Sequence, residues 1–186
     1  MGSDGKPEGI LVNSLTPNDA VTEFTANIRR GIVFSDGTTL DAGVVVASFD
    51  RILKSKALRA DYARTLLKDV KRVYAKDQES VVFELRRPMA SLPSRLSYPA
   101  LAIVPRSAPR DRPISKIEDM HGTGPFTPTE ATPTAMTLVR RTNWHEQGPI
   151  LKTVRFVTIE DSGLRLRKAI AGEVDLAPLS PSDAVA

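Results

Sequence analysis

The sequence contains no cysteine. That excludes a disulfide-stapled scaffold, a thiolate metal site and a cysteine nucleophile, while leaving the compartment open. Aromatic residues make up only 5%, so a core must be built from aliphatic side chains. No apolar run approaches the roughly 18 residues of a membrane span, and direct membrane insertion is not expected. Histidine occurs twice, at His121 and His145, without a metal-ligand partner at helical spacing. Each reads as a surface or loop histidine, and neither metal nor other cofactor is expected. Asp119-Met120-His121 sets an acid beside an imidazole, but a triad is defined by geometry and not by adjacency. A Walker-type phosphate loop is missing. Gly122-Thr123-Gly124 precedes a strand-like segment, which is the wrong context for a dinucleotide site. These absences leave no visible catalytic centre.

What is present is ordinary globular material: 186 residues, 41% apolar and 26% charged. That length is enough for one self-sufficient domain. The formal net charge of +4 comes from 26 basic and 22 acidic residues, and the signs are interspersed. The one acid-poor basic stretch, Arg106 to Lys116, is broken by Pro109 and Pro113 and lacks aromatic stacking partners. It reads as a solvated loop, so no nucleic-acid partner is expected. Met1-Gly2-Ser3 reads as a start added for expression, with any native signal removed or never present.

Periodicity places the elements. Residues 1–10 read as a disordered N-terminal segment. Val21 to Arg29 alternates with Phe24, Ala26 and Ile28 on one face, as a half-buried strand does. Ile32 to Phe34 is a second extended stretch, and Asp36-Gly37 is a turn. Asp41 is a helix cap, followed by Ala42, Val45, Val46, Phe49, Ile52 and Leu53 on one helical face. A short helix is expected over 60–67 and a hairpin over 70–85, with Val81, Phe83 and Leu85 on one face. A helix starting at Pro88 would run to about Leu96, and 102–104 would form a short strand. A long loop from Arg106 to Gly124 would carry one helical turn near 114–119. Strands are expected over 126–130, 136–142 and 151–159. A last helix would span 162–171 with Leu166, Ala169 and Ile170 inward, stopped by Gly172, before a short strand at 174–176. The class is α+β, a mixed sheet with flanking helices.

Three segments together resemble the extracellular solute-binding proteins of family 5, the oligopeptide-, dipeptide- and nickel-binding subunits of ABC importers. The first is Glu23 to Ala42, preceded by Leu15-Thr16-Pro17-Asn18-Asp19; the second is Gly122-Thr123-Gly124-Pro125-Phe126; the third is Ala171-Gly172-Glu173-Val174-Asp175-Leu176. They occur in the family's order and at its spacing. Where the family has acids in the first turn of the helix, this sequence has Gly43-Val44, so the helix start should be weaker. Where the family has an aromatic pair, this sequence has Trp144-His145.

The resemblance implies a periplasmic-binding-protein-like fold of type II, cluster C, in which residues 11–186 form part of lobe I, with lobe II absent. It implies non-covalent capture of a peptide or similar small solute and delivery to ABC permease subunits. The setting would be periplasmic or extracytoplasmic and membrane-associated, as for a lipoprotein. Ligand-contacting candidates are Gly122, Thr123, Gly124, Pro125, Phe126 and Trp144, with a tight turn as the equal alternative for the glycines and packing favoured for Trp144. Arg140 and Arg141 read as solvated side chains. Sheet edges left without neighbours would invite self-association. The alternative function is a ligand-sensing domain of a cytoplasmic transcriptional regulator.

Overall fold

The computed structural model describes residues 7–54 and 61–179. In chain order the elements are β1 (Val12–Pro17), β2 (Glu23–Ile28), α1 (Ala42–Lys54), α2 (Asp61–Leu66), β3 (Val70–Ala75) and β4 (Ser80–Leu85). Then come α3 (Leu92–Leu96), β5 (Phe126–Ala131), β6 (Ala135–Arg140), β7 (Thr153–Val157) and α4 (Ser162–Ile170). Short 3-10 turns lie at Pro99–Leu101 and Ile117–Asp119. The strands form one sheet in the order β1-β2-β4-β3 and another in the order β5-β6-β7. Every strand pairing among the described residues is antiparallel. This corrects the expectation of a mixed sheet: most neighbouring strands are joined by connections too short for the crossover that parallel strands require.

The core lies between the first sheet and α1. Alternation sends Phe24, Ala26 and Ile28 of β2 inward beside Val81, Phe83 and Leu85 of β4, as a period of two dictates. Onto them α1 lays Val45, Phe49 and Ile52. Phe49 meets Phe83 edge to face, with ring centroids 5.1 Å apart, the arrangement that aromatic quadrupoles favour. The buried stripe of α1 is rotated from the expected one: Val44 and Ser48 are buried, while Val46 and Leu53 are only half-buried.

The start of α1 compensates for its missing acids. The Asp41 carboxylate accepts from Val44 N–H at 2.7 Å, which satisfies an orphan donor and puts negative charge at the positive helix end. A Cβ at position 43 would lie 2.4 Å from Arg106 Nη2, so the end of that flexible side chain would have to shift.

Just before α1, residues 32–40 fold tightly. Gly37 sits at φ 84°, Asp36 accepts from Thr38 N–H and hydroxyl, and Phe34 N–H donates to Thr38 O. The turn is so close that the extended stretch at 32–34 pairs through one bridge, Val33 to Thr39. Ile32 and Phe34 are nonetheless fully buried.

Other expectations are corrected. The helix expected from Pro88 occupies only Leu92–Leu96, with Pro93 in its first turn, because Met89 N–H is drawn to Val21 O. No strand forms at 102–104: Val104 N–H donates to Ser48 Oγ instead. Residues 174–176 are irregular. Ile170 is 78% exposed and not inward. The end of α4 fits its glycine: Gly172 at φ 70° lets Glu173 N–H reach Lys168 O and Gly172 N–H reach Ala169 O, the paired bonds of a Schellman cap. Strand β1 was not anticipated. It is polar, bulged at its start and sits at a sheet edge, where alternation carries little signal.

The second sheet has no apolar core of its own. Beyond Ala108 the only fully buried described residue is Arg141. Phe156 and Val157 of β7 are 59% and 48% exposed.

Replacing Asp41 with alanine should lower unfolding free energy by about 1 kcal/mol. Urea denaturation of the two proteins measures it, with an unchanged midpoint as the contrary result.

Candidate functional site

The loop that follows the Ile117–Asp119 turn carries five of the six sequence-predicted contact residues. Gly122 and Gly124 are exposed, Thr123, Pro125 and Phe126 are half-buried, and Phe126 opens β5 opposite Arg140. The sixth, Trp144, is brought to the same loop: its indole Nε1 donates to Thr123 O at 2.8 Å.

The group that organises the loop is Arg141, and its solvated reading is overturned. It is 8% exposed. Its Nη1 lies 3.1 Å from Val33 O, 3.2 Å from Gly124 O and 3.4 Å from Gly122 O, and its Nη2 donates to Phe34 O at 3.1 Å. Its main-chain N–H donates to Pro125 O at 2.8 Å. A planar fork of donors suits carbonyls converging from two segments, which a point-charge ammonium does not. Burial pulls this guanidinium below its ordinary pKa, and the Asp36 charge acts the other way. Ser35 N–H adds a further bond to Gly122 O at 2.9 Å. The result is a direct tie between residues 33–35, before α1, and residues 122–125, before the second sheet. Arg140, one residue earlier, points elsewhere and donates to Pro149 O.

Polar groups border this tie. Ser35 Oγ lies 3.2 Å from His121 Nδ1. For Asp36, burial raises the pKa, but bonds from the Thr38 hydroxyl, Ser107 and Thr38 N–H, with the nearby His121, outweigh it and hold the carboxyl below its usual range. The fork of Arg112 on Asp119, at 2.5 and 3.0 Å, likewise holds Asp119 low against the effect of burial. Asp119 thus gives both oxygens to Arg112, and the acid–histidine pair seen in the sequence is not a catalytic dyad. His145 lies in a loop, one of the two settings expected for it, and its ring is turned inward. Both its ring nitrogens are buried with no partner, and its ring lies 5.1 Å from that of Trp144. Among the described residues no group of three or more His, Cys, Asp or Glu could hold a metal ion, and no helix is long and apolar enough to cross a membrane.

This architecture matches solved solute-binding proteins. NikA from Brucella suis, in complex with Fe(III)-EDTA, superposes with a TM-score of 0.80 at 22% identity, covering 97% of this chain and 38% of that one. AppA from Bacillus subtilis, an oligopeptide-binding protein in complex with a nonapeptide, gives 0.72 at 23% identity, covering 88% of this chain and 34% of that one. The fold is therefore an α+β portion of the cluster C periplasmic-binding-protein fold. Residues 6–186 match the bacterial extracellular solute-binding proteins, family 5 Middle, and the chain belongs to that family, one of solute-binding proteins and not of enzymes. The glutathione-binding protein GsiB of Salmonella paratyphi A is 25% identical over 181 residues, 95% of this chain. The chain spans about a third of the length of such curated relatives, 35% for GsiB.

Arg141 was missed because nothing local distinguishes it from Arg140. The carbonyls it serves on the first segment are 107 and 108 residues away. Replacing Arg141 with lysine should cost about 2 kcal/mol, since hydrogen bonds from a charged donor are lost and buried carbonyls are left unpaired. Arg140→Lys should cost less than about 1 kcal/mol. Equal effects in urea denaturation would contradict the clamp.

The depressed carboxyls set an acid limit. An aspartate whose folded pKa lies below its unfolded value of about 3.9 contributes stability present above that value and lost as pH falls through the folded one. Asp119→Asn should therefore flatten the decline of stability below about pH 4, read as thermal midpoint against pH. An unaltered slope would show that the Arg112 pair contributes nothing.

Proposed function

We propose that this chain forms part of lobe I of the substrate-binding component of an ABC importer. It would supply one wall of a cleft that captures a peptide or similar small solute without making or breaking a covalent bond. Closure of a second lobe over the ligand would complete the site, and ABC permease subunits in the membrane would receive the solute.

The observation that carries this reading is the family match over residues 6–186, joined to a loop whose main chain is tied down and whose two glycines are exposed. A wall of this kind needs a main chain that does not yield when the ligand arrives, and the Arg141, Ser35 and Trp144 bonds fix that of residues 122–125. The relatives' ligands, glutathione for GsiB and a nonapeptide for AppA, favour peptides as the class to test first. A single wall buries only part of a ligand, so affinity should be weak, because binding must still offset the lost freedom of both partners.

Titration calorimetry of the 186-residue chain with reduced glutathione and with tri-alanine should give dissociation constants in the millimolar range, with both peptides recovered intact. Submicromolar affinity would contradict the need for a second wall. Hydrolysis of either peptide would contradict non-covalent capture.

A further inference from the structure

The two exposed glycines of the 122–126 loop are not explained by the loop itself. Neither Gly122 nor Gly124 adopts the left-handed backbone that calls for glycine, in contrast to Gly37 at φ 84°. A Cβ added at Gly124 would meet nothing within 4 Å, and one at Gly122 only Gly124 N at 4.0 Å. The fold would thus accept alanine at either position. What a side chain would take away is the bare main-chain surface.

That surface carries donors. Among the described residues, no acceptor bonds the N–H of Thr123 or Gly124. Their direction follows from the clamp. No peptide bond is cis, and in a trans peptide the N–H points opposite to the carbonyl of the preceding residue. Gly122 O is drawn to Arg141 and Ser35, so Thr123 N–H faces away from them. Thr123 O is drawn to Trp144, so Gly124 N–H faces away from it. Both carbonyls bind donors from the short segment 141–144, and the two N–H groups lie on the side opposite.

Charge favours an acidic guest. Arg141 forms no ion pair with a carboxylate among the described residues; its partners are carbonyls. Its charge polarises the Gly122–Thr123 peptide, and a chain of hydrogen bonds strengthens the donor at the far end. The nearby acids are engaged elsewhere, Asp36 by Thr38 and Ser107 and Asp119 by Arg112.

We propose that the Thr123 and Gly124 N–H groups receive a carboxylate oxygen of the bound solute, with Gly122 and Gly124 left bare so that the ligand can lie against the main chain. This rests on the solute-binding reading and names the chemistry of one contact within it. A peptide would present its C-terminal carboxylate there.

The test is an amide-resolved NMR titration of the 186-residue chain with tri-alanine, and with its C-terminal amide, to millimolar concentration. Tri-alanine should shift the Thr123 and Gly124 amide signals most. The amide analogue should bind about tenfold more weakly, since charge-assisted bonds are roughly twice as strong as neutral ones. Gly124→Ala should keep the melting midpoint and lose at least that tenfold in affinity. Shifts confined to other residues, equal affinity for the two probes, or unaltered binding by Gly124→Ala would overturn the carboxylate contact while leaving the solute-binding reading standing. No shift anywhere would overturn both.

Discussion

One buried guanidinium joins the two halves of this structure. The first sheet and α1 share an apolar core, and the second sheet has none. What crosses between them at the 33–35 and 122–125 segments is main chain, and main-chain carbonyls repel one another unless a donor lies between. Arg141 supplies most of these donors, and Ser35 N–H supplies another to Gly122 O. Its fork reaches Val33 and Phe34 on one side and Gly122 and Gly124 on the other. A buried charge is costly unless every proton finds an acceptor. Here carbonyl dipoles provide the acceptors, and the loop is fixed as a consequence.

The same bonds shape the proposed ligand face. Because Arg141, Ser35 and Trp144 take the carbonyls of residues 122–124, the intervening N–H groups have no inward option. The candidate site is thus shaped by a constraint on peptide orientation, with Gly122 and Gly124 leaving main chain exposed on either side of Thr123. For the contact proposed above, such an arrangement would suit ligands that differ in side chain and share a main chain, because backbone pairing supplies affinity without regard to sequence.

Much of the fold was legible because it is local. Asp36-Gly37 specifies its own turn, Asp41 caps the helix three residues before the N–H it binds, and the 70–85 hairpin follows from alternation alone. The segments that failed were those claimed by distant partners. Residues 102–104 look extended and apolar, yet Ser48 takes the Val104 N–H. Residues 88–91 are proline-led, yet Val21 holds Met89. The site was legible as a place and not as a mechanism. Its glycines stand out in the sequence, but only the structure shows that neither needs the left-handed backbone that Gly37 adopts. Arg141 and Arg140 are neighbours of one type, and burial separates them only after the chain has folded over a hundred residues.

The clamp is best tested at its own protons. In a nitrogen-resolved NMR spectrum, the Arg141 side-chain Nη protons should appear as separate signals. Their exchange with solvent should be slowed toward the rate set by global unfolding, because breaking four carbonyl contacts requires the two segments to part. A single averaged signal that exchanges like those of exposed arginines would show that the guanidinium is not held, and that the loop it is said to fix is free.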